Sequence, residues 1–190
     1  MKHLTSYTVL IALSLVLAGC GGSNMTSFIH EEYNFGFIER VAIVPFENLS
    51  DDQGAGARAT NIFLSELLAS RTFDVVEPGE VSRALAKHNL TRTASLTTAQ
   101  ATALGSELKV QAVFLGTVNE SADYRSGGTS TAKVNITARM VECERGETIW
   151  SATATAGGRG VWSTLFGGGD QAKSEVTRDC IRTLLGSLFE

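Results

Sequence analysis

The sequence predicts a single α/β (α+β) sandwich, a five-stranded mixed sheet with helices packed on it in the order βαβααβββα. Three observations carry that expectation. Val41 to Phe46 and Val110 to Val118 are nearly continuous apolar runs, as strands covered on both faces would be. Val134, Ile136, Ala138 and Met140 alternate with Asn135, Thr137 and Arg139, the period of a strand with one wetter face. Ala59, Ile62, Phe63 and Leu67, and later Val176, Cys180, Ile181, Leu184, Leu185 and Leu188, recur at helical spacing and mark two apolar helix stripes.

Taken in order, the first strand, Val41 to Phe46, ends on a proline-aromatic pair and belongs in the sheet interior. Asn48 to Gly56 is a polar, glycine-bearing loop leading into the first helix. Phe73 to Glu77 reads as the second strand, and Pro78-Gly79 opens a shorter helix carrying Val81 and Leu85. Thr97 and Gln100 are spaced as a capping box for a third helix ending near Leu108-Lys109. Val110 to Val118 is the third strand and the alternating run the fourth. Glu144-Arg145-Gly146-Glu147 then supplies a turn, and Thr148 to Thr155 returns as the fifth, so this half is an antiparallel meander closed by the last helix. No internal repeat is present. Ahead of the sheet, Phe28, Tyr33, Phe35 and Phe37 form an aromatic run expected to pack on the domain.

The N-terminus reads in three parts: Lys2, an apolar run from Val9 to Leu17 broken only by Ser14, and small residues before a cysteine. Nine or ten apolar residues make a helix about 15 Å long, roughly half of a hydrocarbon core, so the run is a signal rather than a permanent span. Leu17-Ala18-Gly19-Cys20 resembles the lipobox of bacterial lipoproteins. The resemblance implies removal of residues 1–19 and acylation of the Cys20 thiol, leaving residues 20–39 as lipidated N-terminus and short tether and 40–190 as a periplasmic domain. An ordinary secretory signal with a chance cysteine is the competing reading. Gly21, rather than aspartate, follows Cys20, which in the common sorting scheme points to the outer membrane.

Loss of Lys2 moves the formal charge from −4 to −5, and the remaining Lys and Arg are scattered singly. No basic face is available to release counterions from phosphates, so a nucleic-acid partner is not expected. Cys143 and Cys180 would lie in an oxidising compartment, where they either bond or remain separate buried thiols. The mature chain keeps only His30 and His88 and has no Cys/His metal spacing, so neither a metal nor a cofactor is expected.

Gly54-Ala55-Gly56-Ala57-Arg58-Ala59 fits the relaxed dinucleotide pattern G-x-G-x-x-A, with Glu77 twenty-one residues past Gly56. Seven residues separate Phe46 from Gly54, however, and Asp51 and Asp52 would repel a pyrophosphate there. Neither histidine has an evident nucleophile and orienting partner, so an enzyme is not expected. One segment stands out. Gly157-Gly158-Arg159-Gly160 and Gly167-Gly168-Gly169 bracket Trp162, Leu165 and Phe166, large apolar groups on a glycine-hinged loop that suits a partner or membrane contact unless it folds back onto the sheet.

The strings VAIVPFENLSDD (Val41 to Asp52), FDVVEPGEV (Phe73 to Val81), ALGSELKVQAVFLGTV (Ala103 to Val118) and GETIWSATA (Gly146 to Ala154) run in order through the domain. On them, Arg40 to Leu188 resembles the CsgG-type family of curli secretion and assembly lipoproteins, with its relatives the TolB N-terminal domain and the LpoB-type activators of penicillin-binding proteins. The resemblance implies a periplasmic anticodon-binding-like fold working in envelope assembly or export, with no catalytic residues. Pore-forming members add two long membrane hairpins, whereas here Glu120 to Thr131 is polar throughout and Gly157 to Gly169 is short and glycine-rich. The expectation is therefore an outer-membrane-anchored scaffold or accessory for a cell-surface structure, homo-oligomeric or bound to envelope protein partners. A cell-wall-synthase activator and a secretion-channel subunit are the alternatives.

Overall fold

The computed structural model describes residues 24–126, 129–157 and 172–189. Seven strands and four helices are present among them: β1 (Asn24–Ile29), β2 (Arg40–Ile43), β3 (Glu47–Asn48), α1 (Ala55–Ser70), β4 (Asp74–Val75), α2 (Pro78–Lys87), α3 (Thr98–Leu108), β5 (Ala112–Ser126), β6 (Thr129–Glu142), β7 (Thr148–Gly157) and α4 (Lys173–Phe189). The sheet runs β1-β7-β6-β5-β2-β4, with β3 beside β5. Each expected element has a counterpart, but the expected five strands become seven and the order becomes βββαβααβββα. β3 is two residues long, too short for any periodicity to announce it. β1 lies inside the stretch read as tether, where Asn24 to Ile29 pair antiparallel with Thr155 to Trp150 of β7.

Chain chemistry explains where the strands stop. β2 pairs parallel with both β5 and β4, and its ladder ends before Pro45, which has no N–H to donate. Phe46 instead donates its N–H to Thr60 Oγ1 on α1 at 2.8 Å, so the strand exit is tied to the helix that follows. The first strand is accordingly shorter than Val41 to Phe46, and the second shrinks from Phe73–Glu77 to Asp74–Val75. α3 opens with both halves of the capping box in place, Thr97 accepting from the Gln100 N–H and the Gln100 side chain from the Thr97 N–H.

Alternation along the strands sends side chains to two cores. Val41, Ile43, Phe114, Ile136, Met140 and Trp150 pack with Phe63 and Leu67 of α1 and Cys180, Ile181 and Leu184 of α4. Ala42, Val44, Val113 and Leu115 pack on the other side with Val81 and Leu85 of α2 and Leu104 and Leu108 of α3. On that second side the antiparallel half is the wetter face read from the alternation. Asn119 Nδ2 donates to Asn135 Oδ1 at 2.7 Å, Asn135 Nδ2 to Thr155 Oγ1 at 2.7 Å, and the Thr137 and Thr153 hydroxyls lie 2.9 Å apart.

The cysteine alternatives resolve in favour of two separate thiols. Cys143 and Cys180 are free and buried, and they belong to different cores. Burial, opposed by nothing comparable, pushes each thiol up to about 12.

Candidate functional site

β5 and β6 do not stop with the rest of the sheet. β6 pairs with β7 only as far as Lys133 opposite Gly157, whereas β5 and β6 continue together to Ser126 opposite Thr129. Within the segment 120–131, taken from sequence as a polar insertion point, residues 123–126 and 129–131 therefore belong to the free part of a two-stranded arm rooted at 120–122 and 133–135. Its joint is the two-residue link Gly127-Gly128, a hairpin signal that the polarity of the segment obscured. A register shift between Val118 and Glu120 lies at its root, where β7 still flanks β6.

The root of the arm is held by a clasp of charges. Arg58, near the start of α1, donates from Nη2 to Asp52 Oδ2 at 2.6 Å and to Ser121 Oγ of the arm at 3.0 Å, and from Nε to Thr177 Oγ1 of α4 at 3.4 Å. Ser121 in turn donates to Asp52 Oδ2 at 2.9 Å. Lys173, the first residue of α4, reaches Asp123 Oδ2 of the arm at 2.9 Å and Asp52 Oδ2 at 3.6 Å. On the opposite face of the arm Lys133 Nζ lies 2.9 Å from Glu120 Oε2, and the Tyr124 hydroxyl donates to Glu120 Oε1. Two helix N-termini and the hairpin thus meet on one carboxylate, Asp52.

The hydrogen bond from Arg58 holds the Asp52 carboxyl at about 2, helped by Ser121 and by the charges of Arg58 and Lys173, against the opposing pull of burial. A depressed folded value stabilises the fold above the unfolded value of 3.8, and that contribution disappears as pH falls through about 2. The wild type should lose about 2 kcal/mol of unfolding free energy between roughly pH 4 and pH 2 that an Asp52→Asn variant does not lose. Denaturant melts across that range test this; parallel pH profiles for the two proteins would refute it.

Beside the clasp is a concavity of about 440 Å³ lined by Leu49, Asp51, Asn119, Glu120, Tyr124 and Lys173. Of its charged groups, Lys173 is paired with Asp52 and Asp123, and Glu120 with Lys133 and Tyr124, pairs that position the arm. A second concavity, about 750 Å³, lies between Tyr33 and Phe37, α3, and the β6–β7 turn. There the buried Glu142 carboxylate accepts backbone N–H groups of Glu144, Arg145 and Glu147 and closes the turn expected at residues 144–147. Among the described residues no group of His, Cys, Asp and Glu is arranged to hold a metal ion.

The dinucleotide-like glycines have structural uses. Gly56 is buried where a Cβ would stand 2.7 Å from the Phe46 carbonyl oxygen, so its lack of a side chain lets α1 approach the β2 exit. Arg58 of the same motif is engaged in the clasp. His30 stands edge-on to Tyr33 with ring centroids 6.5 Å apart, and His88 follows α2 with Nε2 3.9 Å from Glu107 Oε2. Cys20, Trp162, Leu165 and Phe166 lie outside the described residues. The flanks of the glycine-rich segment are described: Gly157 pairs with Lys133 and Lys173 holds Asp123, so both connect at the root of the arm. Sequence reasoning missed the clasp, because Ser121 and Lys173 are distant in the chain from Asp52 and Arg58 and share no motif with them.

No family model matches the chain, and no curated protein matches it. Solved structures do. A PelC dodecamer from Paraburkholderia phytofirmans superposes with a TM-score of 0.58 at 20% identity, over 88% of this chain and 98% of that one. Lipoprotein GNA1162 from Neisseria meningitidis gives a TM-score of 0.58 at 18% identity, over 80% of this chain and 98% of that one. The LpoB C-terminal domain from Salmonella enterica is more distant, with a TM-score of 0.49 at 17% identity over 62% and 81%. The likeness to PelC and GNA1162 is one of fold. Neither PelC nor GNA1162 is described as a curli-secretion protein, so the CsgG-type part of the sequence resemblance gains no support from them.

Proposed function

We propose that this chain is a lipid-anchored, non-enzymatic protein of the outer membrane, facing the periplasm, that scaffolds the export or assembly of a cell-surface structure as a homo-oligomer. The observation that carries the reading is Leu17-Ala18-Gly19-Cys20 standing four residues ahead of an edge strand, on a fold shared with a lipoprotein and with a protein that forms a dodecamer. The chemistry of the domain supports it. Both thiols are buried and far from the reactive range, and the polar cluster at the arm is spent on holding structure. More than one acyl chain suffices for stable anchoring, at about 0.8 kcal/mol per buried methylene.

The alternatives fare differently. A cell-wall-synthase activator must reach the opposite membrane, yet the chain between Cys20 and β1 spans at most about 14 Å at ~3.5 Å per residue. A channel subunit needs membrane strands of about 9–11 residues with an apolar face. The arm extends only from Glu120 to Ser126 and from Thr129 to Asn135, and its sequence is polar.

In cells fed labelled palmitate, the wild-type protein should carry label and sediment with outer membranes, and Cys20→Ser should lose both label and membrane association. Retention of the Cys20→Ser protein in the membrane fraction would overturn the anchor. Gentle detergent extraction followed by mass measurement should give a multiple of the protomer; a monomer at every concentration would overturn the oligomeric scaffold.

A further inference from the structure

Asn24, Thr155, Asn135 and Glu120 form one row across the sheet, each paired with the next. Two segments leave this row in the same direction. The arm runs on from Glu120 to Ser126, six residues or about 20 Å at ~3.4 Å per residue. Antiparallel to β7, β1 points its amino end the same way, and the four steps back from Asn24 to Cys20 cover at most about 14 Å. The arm outreaches the tether by about 6 Å, which is the depth of one headgroup layer between a hydrocarbon core of about 30 Å and a full bilayer of about 40–45 Å.

We propose that the β5–β6 arm lies in the headgroup layer of the membrane that holds the Cys20 anchor, with Tyr124 as its interfacial aromatic. The inference rests on the lipid anchor of the proposed function. An anchored domain that stands with this edge toward the bilayer brings the end of the arm to the headgroups. The side chains suit that depth. Tyr124 is half-exposed, the only aromatic on the arm, and its amphipathic ring fits the boundary between apolar and wet. The remaining residues from Glu120 to Thr131 have no apolar run that could enter the core. At the root, Lys133 is paired with Glu120 and Lys173 with Asp123 and Asp52.

The test uses the full lipidated protein in vesicles of phosphatidylethanolamine and phosphatidylglycerol. An environment-sensitive fluorophore is attached at Tyr124→Cys, at its cross-strand partner as Thr131→Cys, which keeps Tyr124, or at Leu68→Cys near the far end of α1; Cys143 and Cys180 are buried and silent. Headgroup-depth nitroxide lipids should quench positions 124 and 131 at least about twofold more than position 68. Equal quenching at all three positions in protein that floats with vesicles overturns the arm's placement and leaves the anchor standing. Shielding from aqueous quenchers without lipid quenching assigns the arm to a protein contact and also overturns it. Failure to float overturns the anchor, and the arm's placement with it.

Discussion

Replacing Trp150 by alanine should cost about 3–5 kcal/mol, a large part of the roughly 5–15 kcal/mol that holds a domain folded. The side chain has no exposure, sits where β7 meets α4, and stands edge-on to Phe114 with ring centroids 6.1 Å apart. Its indole N–H donates to Ser187 Oγ of α4 at 3.2 Å. Removal leaves a cavity between sheet and helix that neither can collapse into without shearing the ladder. Trp150→Phe should cost less, because much of the volume stays and the Ser187 hydroxyl keeps its own bond to the Leu184 carbonyl at 2.7 Å. Thermal melts read the difference, with a drop of roughly 6–20 °C for alanine. A loss below about 1 kcal/mol would contradict the packing described.

Gly116→Ala should be the second large effect, from the opposite cause. Gly116 lies in the middle of β5, and a Cβ there would stand 2.4–2.5 Å from three ring atoms of Phe46. The ring has little room to retreat. Phe46 is buried, its ring centroid is 5.2 Å from that of Phe63, and its backbone is fastened to Thr60. The added methyl should therefore cost about 1–3 kcal/mol through displaced packing. In a Phe46→Ala background the clash partner is gone, so the same substitution should become nearly neutral, a coupling of at least about 1 kcal/mol in a double-mutant cycle. Strict additivity would show that the two positions do not compete for space.

The parts of the fold that were legible in the sequence are those with a local signature. The stripes on α1 and α4, the capping box of α3 and the alternation through Met140 each need only a dozen neighbouring residues to be read. β1 escaped because Asn24–Ile29 is an edge strand carrying Asn, Thr and Ser, and only its partner β7 makes it a strand. The arm escaped for a related reason. Strand pairing beyond a sheet needs no apolar face, so polarity from Glu120 to Thr131 said nothing against it. Legibility at the site was lower. Cys20, Trp162, Leu165 and Phe166, singled out by motif and composition, lie outside the described residues, whereas the clasp joins Asp52 and Arg58 to Ser121, Lys173 and Thr177 by folding alone.

The pairing of Asn24 with Thr155 bears on how such a chain is made. In a polypeptide made amino end first, Asn24 emerges early and waits for a partner that emerges near the end. Closing so long a loop is slow, since the entropic cost precedes the contacts that offset it. β1 is therefore expected to join the sheet last, after the β5–β7 meander whose edge it completes has formed.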